Sequence, residues 1–219
     1  RLWSRIIPLL KDEYELIHVP IPHTGDFDEI IDILFNLFTE DKVNLLGFSL
    51  GGYIASYFAI TYPNRVNKLF MLAATPGSSS EAEIERRKQK FTVIEQEGFL
   101  GLSYEKAKSL VEEKNQNDEE LIKIIQDMFM DLGKETFITQ LTSTFHRKDL
   151  FIDLLNLDIP IWFHYSIDDR LLSTRALKKL NLVEHNMKLI PRVGTSHNIP
   201  LEEPELLSNI LRAWMKESA

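Results

Sequence analysis

The segment Val43-Asn44-Leu45-Leu46-Gly47-Phe48-Ser49-Leu50-Gly51-Gly52-Tyr53 constrains this chain more than any other. An apolar, β-prone run ends in Gly47-x-Ser49-x-Gly51, and a helix-forming run, residues 53–61, follows without a gap. Strand, tight turn and helix are the context in which a G-x-S-x-G pattern presents its serine as a nucleophile. The turn holds Ser49 in a strained backbone conformation, so the positions two residues to either side are expected to be nearly free of side chain, which accounts for Gly47 and Gly51. The hydroxyl then stands clear of the strand, and the Leu50 N–H, at a helix start, points at any oxyanion formed beside it. A close-packed turn without chemistry would carry the same glycines. The remaining chain must therefore supply a base and an acid.

The rhythm around this segment is that of an α/β protein. Residues 2–10 read as a short amphipathic helix and residues 14–19 as a strand. Two prolines, Pro20 and Pro22, make the next stretch a loop. Asp26 with Glu29 predicts the capped start of a helix to about residue 39. Strand 43–48, a helix ended by Pro63 and strand 66–73 follow. The strands are continuous apolar runs, as in a mostly parallel sheet covered by helices on both faces.

From residue 78 to about 155 no strand is predicted. Helices are expected over 80–96, 103–114, 118–131, 134–146 and 149–155, the first opened by a Ser80/Glu83 capping box. Glu81, Glu83, Glu85, Arg86, Arg87, Lys88 and Lys90 read as a solvated, ion-paired helix face. Strand 159–165, helix 173–183, strand 187–190 and helix 201–216 complete the chain. The reading is one α/β core, residues 1–76 and 156–219, interrupted by an all-helical insertion, residues 77–155.

Bulk properties remove several classes of function. The 219 residues carry a formal net charge of −8, which argues against a nucleic-acid or anionic-membrane partner. With no cysteine, disulfides, thiolate catalysis and Cys-ligated zinc are excluded, and a reducing, cytoplasmic compartment is the expectation. No run has the length of a membrane span, and no metal cluster or phosphate loop is visible, so no cofactor or metal is expected. The chain opens mid-pattern and without methionine, which points to residues preceding Arg1.

Among six histidines, His18 and His164 fall within predicted strands and read as core or sheet-face residues. His146 and His185 sit at charged helical ends, and His23 in the proline loop. His197 alone is placed as a base should be, in Gly194-Thr195-Ser196-His197 after the last strand. Parallel sheets bind ligands at the carboxyl ends of their strands, where Ser49 also lies. The loop after strand 159–165 reads Ser166-Ile167-Asp168-Asp169, a third such end. A carboxylate there can fix the imidazole tautomer. Both aspartates are candidates; strand length favours Asp169, with Asp168 capping the turn.

In chain order Ser49, Asp169, His197, with an elbow serine, the sequence resembles the α/β-hydrolase fold superfamily. The resemblance spans nearly the whole chain. It places the acid on Asp169, with Ser166 where the family usually has glycine, and it matches Glu202-Glu203-Pro204 to the family's terminal Glu-x-Pro. It implies that the helical insertion is a cap over the site, and that a second oxyanion donor lies upstream of Arg1. The implied activity is that of a serine hydrolase of an ester, thioester or similar small acyl compound, with Ser49 as nucleophile, His197 as base and the Leu50 N–H in the oxyanion hole. C–C bond hydrolysis and aminopeptidase chemistry occur on the same fold. The alternative from another class is a non-catalytic ligand-binding protein; dimerisation through the cap is compatible with either.

Overall fold

The computed structural model describes residues 1–182 and 187–217. The chain begins with α1 (Ile7–Leu10), followed by α2 (Phe27–Leu37). Asp26 caps α2 by accepting the Asp28 and Glu29 N–H groups, and Phe27, Ile30, Ile31 and Leu34 form its buried stripe. Next come β1 (Val43–Phe48), α3 (Leu50–Thr61) and β2 (Val66–Leu72), with Pro63 standing just beyond the end of α3. Between β2 and the next strand lie α4 (Glu81–Glu97), α5 (Tyr104–Lys108), α6 (Glu119–Leu132), α7 (Lys134–Ser143) and α8 (Phe151–Leu155). Then follow β3 (Ile161–Ser166), α9 (Thr174–Leu182), β4 (Lys188–Arg192), α10 (Ile199–Glu202) and α11 (Pro204–Lys216).

The strands form one parallel sheet in the order β1-β2-β3-β4. Alternation along them divides the core in two. Leu69, Met71, Ile161, Phe163 and Tyr165 face one cluster, filled by apolar side chains of α2, α3, α8 and α9. Phe70, Leu72 and Trp162 face the other, against Leu10 of α1 and Leu207, Leu211 and Trp214 of α11. A sheet buried on both faces needs apolar residues at successive positions, and β3 is buried along its whole length. The register pairs Phe48 with Leu72, Leu72 with His164, and Ser166 with Arg192. The carboxyl ends of β1, β3 and β4 therefore share one rim.

Several expectations are corrected. Residues 14–19 form no strand: they pair with no neighbour, Leu16 and Ile17 are exposed, and so is His18. β-prone side chains without a strand to pair with do not make a sheet. The first helix shortens to α1 after a run of turns, and 103–114 yields α5 with a separate 3₁₀ turn at Glu113–Asn115. The last helix splits at Pro204, which has no N–H to continue α10 and begins α11 instead. The charged run on α4 is largely exposed, as expected, but among the described residues none of its members forms a salt bridge within 4.0 Å. Glu83 is engaged in the capping box with Ser80, Arg87 donates to the Ser79 hydroxyl, and Arg86, Arg87 and Lys90 line an open groove. The insertion has its own small core, Ala107, Val111, Leu121, Ile122 and Ile125, closed by Leu201 of α10. Its last helix, α8, packs Phe151 and Leu154 into the main core.

Candidate active site

Ser49 sits between β1 and α3 with φ 52 and ψ −116, a conformation that costs a non-glycine residue roughly 1–3 kcal/mol. Its N–H donates to the Leu72 carbonyl at 2.9 Å, which anchors the turn to β2. The turn is possible because β1 and α3 come close together. A Cβ on Gly47 would overlap the Gly51 carbonyl, and one on Gly52 would overlap Ala74, whereas one on Gly51 would meet nothing within 4 Å. The space constraint therefore falls on Gly47 and Gly52, not on Gly51. Leu50 is the first residue of α3, so its N–H has no acceptor within the helix and points out of the helix start.

The three sequence-predicted side chains come together. His197 Nε2 lies 3.0 Å from Ser49 Oγ, and His197 Nδ1 lies 2.7 Å from Asp169 Oδ2. The Asp169 side chain is only 1% exposed, and its other oxygen accepts the Leu171 N–H at 2.8 Å. With a carboxylate on Nδ1, that nitrogen carries the ring proton and Nε2 is left as the acceptor facing the serine. Asp168 is exposed, and its N–H donates to the Gly194 carbonyl. The Phe48 ring lies 5.0 Å from the His197 ring, centroid to centroid.

Sequence reasoning missed the scaffold beneath this histidine. Ser166, in the place of a glycine, donates from its hydroxyl to the Ser196 carbonyl at 2.6 Å and accepts from Arg192 at 2.9 Å. Arg192 in turn grips the Glu112 carboxylate with both terminal nitrogens, at 2.7 and 3.2 Å. Burial alone would raise the Glu112 carboxyl. The Arg192 hydrogen bonds and charge, with the Ser196 and Thr195 N–H groups, outweigh it and hold the group at about 2. Glu202 accepts the Ser196 hydroxyl, the Glu112 N–H and the Asn115 side chain. Only buried carboxylates recurring near the His197 motif could have signalled this, and Glu112 is far from it in sequence.

The other described histidines lie elsewhere. His164 is buried in β3 with Nδ1 donating to the Ile190 carbonyl at 2.7 Å, and burial lowers its proton affinity. His18, His23 and His146 are exposed, and His185 lies outside the described residues. No group of three or more His, Asp or Glu among the described residues is placed to hold a metal ion. No described helix is long and apolar enough to cross a membrane. Near the Asp169 loop a groove of about 530 Å³ is lined by Glu83, Arg86, Arg87, Lys90, Arg170 and Leu171. Phe99, Phe129 and Phe137 of the insertion form a half-buried cluster outside its small core: Phe137 stands 5.4 Å from Phe99 and 6.0 Å from Phe129.

Comparison with known proteins agrees with this architecture. Residues 4–99 match the family model described as alpha/beta hydrolase fold. The pimeloyl-[acyl-carrier protein] methyl ester esterase of Legionella pneumophila (strain Lens) is 34% identical over 88 residues, 38% of this chain and 36% of that protein. The uncharacterized hydrolase YugF of Bacillus subtilis (strain 168) is 25% identical over 238 aligned residues, 98% of this chain and 85% of that one. A solved thermophilic esterase from Thermogutta terrifontis superposes with a TM-score of 0.79 at 20% identity, over 98% of this chain and 84% of that one. The matches thus span 36% of the methyl ester esterase but most of the other two. The chain thus has the alpha/beta hydrolase fold.

Proposed function

We propose that this chain carries the active site of a serine hydrolase acting on a carboxylic ester, thioester or similar small acyl compound. The observation that carries the reading is the relay Ser49 Oγ–His197 Nε2 at 3.0 Å and His197 Nδ1–Asp169 Oδ2 at 2.7 Å, with the serine on a strained turn at a helix start. Ser49 attacks the substrate carbonyl while His197 Nε2 takes its proton. Asp169 keeps the Nδ1 proton in place and stabilises the imidazolium without itself being protonated. The oxyanion of the tetrahedral intermediate accepts from the Leu50 N–H. His197 then protonates the leaving alkoxide or thiolate, leaving an acyl group on Ser49. Water repeats the sequence, with His197 as base, and releases the acid.

An ester is the natural first substrate, because the Legionella relative is named a methyl ester esterase and the Thermogutta structure an esterase. The helices of residues 77–155 are read as a cap. Glu112 accepts the Thr195 N–H beside His197, while the Lys148 N–H donates to the Tyr53 hydroxyl on α3, so the insertion reaches from the base loop to the elbow helix. Hydrolysis of p-nitrophenyl esters of graded chain length, compared with Ser49→Ala, tests the reading. Loss of activity in the variant by on the order of 10⁴-fold supports it; equal activity in wild type and variant refutes it.

A further inference from the structure

We infer that Glu112, supplied by the helical insertion, is a positioning residue for the base: it holds the loop carrying His197 in line with Ser49 and Asp169. This rests on the hydrolase reading of the site. Thr195 and Ser196 immediately precede His197, and both of their N–H groups donate to Glu112 Oε1, at 3.0 and 3.2 Å. Neither belongs to a strand, so the carboxylate is the acceptor that fixes this stretch of backbone. Arg192 binds both Glu112 oxygens and donates to Ser166 Oγ and to Glu203 Oε1, at 2.9 and 3.1 Å. One carboxylate from the insertion therefore joins the end of β4, the end of β3 and the base loop.

The arrangement is built for a carboxylate. Glu112 is buried, and so is Ser196. A Cβ on Gly194 would overlap Glu112 Oε1, and Gly194 has φ +130, so the loop is shaped around that oxygen. On the other side, the Glu112 N–H donates to Glu202 at 2.8 Å, and Val111 packs in the small core that includes Leu201. The base loop is thus held between its own following helix and the insertion. Removing the carboxylate leaves the buried Ser196 N–H and the part-buried Thr195 N–H without this acceptor, and takes from the Arg192 guanidinium the carboxylate it binds with both terminal nitrogens. The buried Ser196 N–H regains an acceptor when the loop moves, and His197, the next residue, moves with it.

The test compares Glu112→Ala and Glu112→Gln with wild type and with the exposed control Glu113→Ala, each in the full-length protein. Three quantities are read on samples with a cooperative melt: the rate of Ser49 labelling by a fluorophosphonate, kcat and KM for a short p-nitrophenyl ester, and the low-field proton resonance of His197 Nδ1–H. Misplacing a catalytic group by an ångström costs about 100-fold, so Glu112→Ala is expected to lose about that factor in labelling and kcat with KM little changed. Its low-field resonance should be lost. Glu112→Gln, which keeps an oxygen for the two N–H groups, should lose about tenfold. A folded Glu112→Ala, or Glu112→Gln should the alanine variant not fold, with labelling, kcat and resonance all at the wild-type level overturns the proposal. Failure of the hydrolase reading shows differently: wild type itself would not label, while the resonance still reports on the loop.

Discussion

At the residue scale, the choice between two adjacent aspartates is made by the side of the turn that each occupies. Asp169 is buried against His197, and Asp168 faces solvent. Asp169→Asn should lower kcat by about 10⁴-fold, because an amide on Nδ1 favours the wrong tautomer, while Asp168→Asn stays within about twofold. Steady-state kinetics on both variants decides this. The glycines divide in the same way. Gly47→Ala forces a methyl into the Gly51 carbonyl, and a loss of about 3 kcal/mol or more in urea unfolding is expected. Gly51 lies in the first turn of α3 with open space and no positive φ, so Gly51→Ala should leave stability unchanged or raise it by about 0.5 kcal/mol. The motif made Gly47, Ser49 and Gly51 legible as a group. Which glycine is obligatory was not legible, because it depends on how the first turn of α3 faces β1, and that turn sets Gly52 and not Gly51 against the strand.

At the scale of elements, capping signals were read in the sequence because they are local. Ser80 and Glu83 do form the reciprocal box that starts α4. Ser80→Ala should cost about 1 kcal/mol in thermal or urea unfolding. Residues 14–19 show the opposite case, since a strand needs a neighbour and sequence alternation does not reveal whether one is present. Ser166, Arg192 and Glu112 were illegible for a related reason: they come from β3, β4 and the insertion and meet only in the folded chain. Their joint carries a pH signature. Glu112 is held at about 2 against an ordinary 4.5, so its contribution is complete above 4.5 and is lost as the pH falls toward 2. The shift corresponds to stability of the order of 3 kcal/mol. Urea unfolding between pH 5 and 2 should therefore fall more steeply in wild type than in Glu112→Gln; parallel curves would contradict the assignment.

At the scale of the molecule, the parallel order β1-β2-β3-β4 does the work of assembly. It aligns the carboxyl ends of strands separated by more than a hundred residues, so that a serine after β1, an aspartate after β3 and a histidine after β4 meet at one rim. Continuous apolar strands made a parallel sheet, and the strand ends that carry the three residues, readable in the sequence; the order of the strands was not. The helices of the insertion were also readable as helices, but not their contacts, since solvent-facing and site-facing side chains on a short amphipathic helix look alike in sequence. Catalysis at this rim requires Ser49 to be an activated nucleophile. This is tested by fluorophosphonate labelling with peptide mass mapping on wild type and His197→Ala. Rapid modification confined to Ser49 is expected in wild type, with its loss in His197→Ala. An unlabelled wild type, or equal labelling of the two proteins, would contradict it.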